Sequence, residues 1–144
     1  MDLQQLIDER AIYRQLMRFA RAMDERDWDQ LAQVTSEDFV ADTGRGDIHG
    51  REACIAFMRS FLDHCGTTQH LLANVVIDVE ADSATSSAYV CDMHLARDKS
   101  RGDSFRTLGI YHDQWQRVGD TWLMTRRKKY NRATLGTMDV FRPA

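Results

Sequence analysis

A few polar residues fall where the local pattern asks for apolar ones, and their types are those of proton transfer and anion binding. Asp24 lies four residues after Ala20 and eight after Leu16, so a continuing helix would carry its carboxylate onto the apolar face. A buried carboxylate must find a partner or become neutral; the alternative is a helix end that frays and faces water, the more economical reading of Asp24 taken alone. His70 opens a strand whose face continues through Leu72 and Asn74. His94 falls in mid-strand, where Val90, Asp92 and His94 would share a face that is either a polar cavity wall or solvent. On that reading Tyr89, Cys91, Met93 and Leu95 make the packed face. Either histidine could equally be satisfied by a backbone carbonyl, the usual fate of a lone one. Tyr111 and Asp113 alternate on a later strand, with His112 opposite. Arg126, Arg127, Lys128, Lys129 and Arg132 crowd the last strand. Alternation splits these cations between two faces; most read as a solvated or intersubunit surface, with one pointing inward to an electronegative group.

The elements that must position these groups follow from periodicity. Ile12, Leu16, Phe19/Ala20 and Met23 form one helical stripe. A break at Glu25-Arg26 precedes Asp27, an N-cap with Gln30 three residues on in the capping-box pattern, and Trp28, Leu31 and Val34 then face inward. Residues 38–48 are extended, with a turn at Gly44 and Gly46. Cys54, Phe57, Met58, Phe61, Leu62 and Cys65 predict the clearest helix, closed by Gly66 as C-cap. Cys54 and Cys65 are small core hydrophobes on that stripe. Strands follow over 67–80, 84–97, 104–118 and 121–132, the last pair joined by a hairpin turn at Gly119-Asp120. Helices ahead of long hairpin-joined strands give an α+β domain on a curved antiparallel sheet, in the order α-α-β-β-α-β-β-β. Residues 135–144, with Pro143, read as a tail that packs on a neighbour or frays.

Composition bounds the function. The chain has 144 residues with 43% hydrophobic and 28% charged, enough for one domain with a real core. A formal charge of −3 argues against broad nucleic-acid binding. No apolar run approaches the ~20 residues of a membrane helix, and the polar start Met1-Asp2-Leu3-Gln4-Gln5 is unlike a signal peptide. Three cysteines without CxxC or zinc spacing indicate neither a disulfide framework nor a zinc site. A cytoplasmic location is the expectation.

The chain resembles the SnoaL-like branch of the superfamily named for nuclear transport factor two. The resemblance is carried by Ala11-Ile12-Tyr13 through Met23-Asp24-Glu25-Arg26-Asp27-Trp28 and by Gly50-Arg51-Glu52. His70 with Asn74, Gly109-Ile110-Tyr111-His112-Asp113 and Gly119-Asp120-Thr121-Trp122 complete it. It implies a cone, a bent sheet around the long helix with a deep pocket at one end. In pattern the chain is most similar to scytalone dehydratase, bile-acid 7α-dehydratase and hexachlorocyclohexane dehydrochlorinase. Those enzymes imply Asp24 and His70 as a catalytic pair and His94 as a second histidine. They imply Arg127 as the inward arginine, or Arg126 if the register slips by one. The bile-acid enzyme's tyrosine, five residues before the Asp, is Phe19 here. Tyr111, Arg127, Phe19, Val40, Asn74 and Asp113 are then the candidate substrate contacts.

The implied chemistry is elimination without a cofactor. Asp24 fixes the His70 tautomer, the other ring nitrogen takes a proton from carbon, His94 or Tyr111 assists the leaving group, and Arg127 steadies the charge. Two histidines and Asp24 could also hold a metal, but an Asp engaged by His is the simpler account and no metal is expected. The alternatives are a non-catalytic subunit like the small subunit of ring-hydroxylating dioxygenases, with a shallow or filled cavity, and a polyketide cyclase or isomerase. Trp115, Trp122 and Met124 are expected to help cover the sheet's second face in a homodimer or homotrimer.

Overall fold

The computed structural model describes residues 1–143. Helix α1 (Leu3–Glu25) starts on a complete capping box between Asp2 and Gln5 and ends at Arg26, which takes the left-handed conformation at φ 57°. Its apolar stripe (Ile12, Leu16, Phe19, Met23) is buried. Two polar residues on the same helix tie it to the sheet. Asp8 accepts two bonds from Arg117, at 2.8 and 2.7 Å, and Gln15 donates to the Trp122 carbonyl at 2.8 Å. The short α2 (Trp28–Val34) is capped by Asp27, whose carboxylate accepts the Gln30 N–H. Helix α3 (Arg51–Leu62) begins after Gly50 and ends with Asp63 as C-cap.

Gly66 is therefore not the cap that spacing predicts. Its φ is not positive, and a Cβ there would lie 3.1 Å from the Leu95 and Ala96 carbonyl oxygens. The residue is small because the backbone of Leu95–Arg97 passes close by.

The strands are β1 (Thr35–Asp42), β2 (Ile48–His49), β3 (Thr68–Glu80), β4 (Ser83–Leu95), β5 (Ser104–Val118) and β6 (Thr121–Gly136). They form one sheet in the order β2-β1-β6-β5-β4-β3. The α+β cone expected from the sequence is present, with two differences. Four long strands follow α3, close to the four ranges expected although the element order given with them held three, and β1 pairs with β6 in parallel, so the sheet is mixed. The other pairs are antiparallel.

Register shifts bend the sheet and change which side chains face inward. In β3 the shift between Ala73 and Val76 contains Asn74 at φ 52°, a conformation asparagine tolerates better than most residues. Thr68, His70 and Leu72 face in before it, and Val75, Ile77 and Val79 after it. In β6 the shift beside Gln114/Trp115 leaves Thr125 unpaired. Trp122 and Met124 face in before it, Arg127 and Lys129 after it.

Three further expectations change. Trp115, Trp122 and Met124 lie in the core, at 2% exposure or less, and cover no outer face. Tyr89, Met93 and Leu95 are exposed, while Val90, Asp92 and His94 are buried, so the packed face of β4 is the polar one. The segment after β6 is no loose tail. Met138–Phe141 forms a 3-10 turn with Val140 buried, and Phe141 packs on Phe61, Phe105 and His94. No helix among the described residues is long and apolar enough to cross a membrane.

Candidate active site

Between α1, α3 and the concave face of the sheet lies a cavity of about 280 Å³, near the lower bound of ordinary ligand pockets, ~300–1,000 Å³. Phe19, Phe39, Phe57, Phe61, Phe105 and Phe141 give it an aromatic lining. His70, His94, Tyr111, Arg127, Asp92 and Lys129 are its main polar groups.

Asp24 does not fray. Arg26 clamps the end of α1 by donating to the carbonyls of Met23, Leu62 and Gly66 and to Thr68 Oγ1. That brings the start of β3 against Asp24. His70 Nδ1 stands 2.7 Å from Asp24 Oδ1, the His70 backbone N–H donates to Oδ2 at 3.0 Å, and Thr68 Oγ1 donates to Oδ1 at 2.9 Å. Burial pushes the Asp24 carboxyl up, but His70 and Thr68 outweigh it and hold the carboxyl below its ordinary value. A charged Asp24 assigns the Nδ1 proton to His70. Nε2 then carries a lone pair; it has no partner among the described residues and is not a closed-off buried atom, so it opens on the cavity that His70 lines.

His94 is set the same way by a different acceptor. Its Nδ1 donates to the Phe105 carbonyl at 3.0 Å, which leaves Nε2 unprotonated. Burial lowers its basicity, partly countered by Asp92. The two imidazoles meet edge to face, centroids 5.4 Å apart. A neutral His94 with its proton committed to Phe105 is an acceptor toward the cavity, and the proton-donor role expected of it falls to Tyr111. Burial pushes the Tyr111 phenol far up, so it stays protonated.

Arg127, not Arg126, points inward. Its Nε and Nη2 donate to Asp113 at 2.8 and 3.0 Å, and its guanidinium is stacked between Phe19 (4.2 Å) and Tyr111 (3.7 Å). Burial opposes its charge, but Asp113 outweighs that and keeps it protonated. Nη1 remains toward the cavity. Arg126 instead pairs with Asp47 on the other face.

The remaining candidates divide. Phe19 lines the cavity, whereas Asp113 sits behind Arg127 and acts through it. Val40 does not line the cavity: alternation along β1 turns its neighbours Phe39 and Ala41 inward instead. Asn74 is exposed, rotated out by the bulge it creates. Spacing missed Asp92, Lys129, Thr107 and Phe141. Asp92 was visible as a polar residue sharing a strand face with His94; nothing local marked the others.

His70, Asp92 and His94 each offer a ligand atom within 4.8 Å of the others. Asp92 already accepts the Thr107 N–H (3.0 Å), the Thr107 hydroxyl (2.7 Å) and the Lys129 ammonium. A metal ion would have to displace Lys129, so the donor set fits a hydrogen-bonded cluster better than a metal centre.

Comparison with known proteins identifies the fold and the family. No curated protein sequence matches the chain. A crystal structure from Novosphingobium aromaticivorans DSM 12444, provisionally named a scytalone dehydratase, superposes with TM-score 0.83 at 22% identity, over 91% of this chain and 88% of that one. A provisionally named aromatic ring hydroxylase of Novosphingobium aromaticivorans DSM gives 0.85 at 26% identity, over 95% and 98%. The type-3 hexachlorocyclohexane dehydrochlorinase of Novosphingobium barchaimii LL02 gives 0.83 at 17%, over 95% and 94%. The family model described as the SnoaL-like domain matches residues 4–128, and the chain belongs to that family.

Proposed function

We propose that this protein is a lyase of dehydratase or dehydrohalogenase type, acting without a cofactor on a small, largely apolar, cyclic molecule. The observation that carries the reading is the 2.7 Å contact between Asp24 Oδ1 and His70 Nδ1, with the far nitrogen open to an aromatic-lined cavity. His70 Nε2 takes a proton from carbon, and Asp24 stabilises the imidazolium that forms. Tyr111 and Arg127 Nη1 are the donors available to the departing group and to developing negative charge. Dehydratase and dehydrochlorinase names among the structural neighbours support the class. A non-catalytic binding-subunit reading fits less well, because the cavity is open and is lined by both imidazoles.

The test is turnover on a panel of cyclic alcohols, hydroxy ketones and halides. His70→Ala and Asp24→Asn are each expected to abolish elimination while the circular-dichroism spectrum is kept. Full activity of Asp24→Asn on a substrate of the wild type would refute the pair. We also propose a homodimer or homotrimer, because Leu71, Tyr89, Met93, Leu108 and Tyr130 leave the outer sheet face apolar and exposed. A monomer by sedimentation at micromolar concentration would count against it.

A further inference from the structure

Lys129 takes no part in the chemistry above, yet the fold goes to some length to place it. The β6 register shift turns it inward. Its side chain then crosses strand β5 at Gly109, where a Cβ would lie 3.2 Å from Lys129 Cε and 2.9 Å from the Tyr130 carbonyl oxygen. Only a glycine leaves that path open, and it ends on β4. There Nζ donates to Asp92 Oδ2 and, at 2.9 Å, to Thr107 Oγ1. Thr107 in turn gives both its N–H and its hydroxyl proton to Asp92 Oδ1.

Two of the three ammonium protons are thus held by protein. The third has no acceptor among the described residues, and Lys129 lines the cavity. A charge pair of this kind adds little to stability compared with apolar side chains of the same volume, so its place in a cavity wall calls for something in the cavity. Asp92 offers an oxygen within 4.8 Å of ligand atoms of both histidines. The ammonium bonded to it is therefore within one small molecule's span of the base.

We infer that Lys129 binds a substrate oxygen that gains negative charge when His70 removes the proton, which makes the substrate a carbonyl compound with an acidic C–H beside its C=O. This deepens the lyase reading and rests on it. The C–H bond breaks, its proton goes to His70 Nε2, its electron pair becomes the C=C bond, and the carbonyl π pair moves onto the oxygen at Lys129. When the oxygen pair re-forms the carbonyl, the enolate C=C pair moves to make a C=C bond to the next carbon, whose leaving group departs with its bonding electrons. The substrate loses HX in total.

The experiment needs no turnover. The full chain is titrated near neutral pH with 4-nitrophenol, whose anion and neutral form differ in absorption, and with nitrobenzene as the neutral counterpart. The wild type is expected to bind nitrophenol as its anion, and Lys129→Met to weaken that binding about 10- to 100-fold, the range of a hydrogen bond to a charged group. Nitrobenzene binding should change far less. Asp92→Asn removes the competing carboxylate but keeps the ammonium, so it should tighten anion binding, and it decides the matter if Lys129→Met fails to fold. An unchanged anion preference in Lys129→Met, anion binding in Asp92→Asn no tighter than in the wild type, or no anion preference in the wild type overturns the inference. Such a failure leaves the Asp24–His70 pair standing, since elimination from a halide needs no carbonyl. Conversely, loss of the pair would leave anion binding at Lys129 intact.

Discussion

Replacing Asp24 by asparagine removes one charge, keeps the volume, and asks the three donors around it to choose. The carboxylate accepts from the His70 ring, the Thr68 hydroxyl and the His70 backbone N–H. An asparagine with its carbonyl in the Oδ1 position keeps the first two bonds but turns its NH₂ group against the His70 N–H. That leaves a donor facing a donor, at a cost of about 1–3 kcal/mol. The flipped amide accepts from the backbone N–H and donates to His70 Nδ1 and to Thr68 Oγ1, which also accepts from Arg26 Nη1 and must rotate its own proton away. It achieves this only by moving the imidazole proton to Nε2. The flip is therefore favoured by about 1–3 kcal/mol, a factor of roughly 5–150 in the tautomer ratio. Lost stabilisation of the imidazolium adds to this, and a base held in the wrong tautomer has cost about 10⁴ in kcat in a Ser-His-Asp protease.

Nitrogen-15 NMR of the imidazoles reads the tautomer directly, without a substrate. The wild type should show His70 protonated at Nδ1 and bare at Nε2, and Asp24→Asn the reverse. A wild-type His70 protonated at Nε2, or a variant that keeps the Nδ1 proton and full turnover, would refute the reasoning.

Other expectations follow from the same structure. Asp113→Asn leaves the Arg127 guanidinium buried without its counter-charge and should cost about 3–5 kcal/mol in denaturant unfolding. Adding Arg127→Met should recover much of that loss, and a double variant less stable than the single would contradict the pairing. His94 is less basic folded than unfolded because of burial, despite Asp92. The unfolded chain therefore binds more protons, so this contribution is complete above about pH 6.5, the unfolded value. It is lost as pH falls through the lowered folded value. His94→Gln should flatten that limb of the stability–pH curve, and an unchanged limb would dissociate it from His94. Burial pushes the Cys54 and Cys65 thiols up, whereas Cys91 is exposed. A disulfide reagent should therefore modify Cys91 alone in the native protein. Rapid labelling that survives Cys91→Ser would contradict the burial.

Much of the fold was legible because it is written in local periodicity. The stripes of α1 and α3, the Asp27 cap and the Gly119-Asp120 hairpin depend on residues a few positions apart, and the structure contains each of them. The identity of the polar pair was legible only through resemblance. Nothing near Asp24 announces that Arg26 will reach Gly66 and Thr68 to bring His70 alongside.

The sequence by itself determined the kinds of side chain available and the elements that carry them, because helical and strand periods follow from backbone geometry. Tertiary structure decided which of them meet. Strict alternation counted from Trp122 and Met124 would send Arg126 and Lys128 inward. One unpaired residue, Thr125, shifts the count and sends Arg127 and Lys129 instead. Asn74 does the same in β3, turning itself out after His70 and Leu72 have faced in. A register shift depends on how a strand pairs with its neighbour across the sheet, and that pairing exists only once the chain has folded.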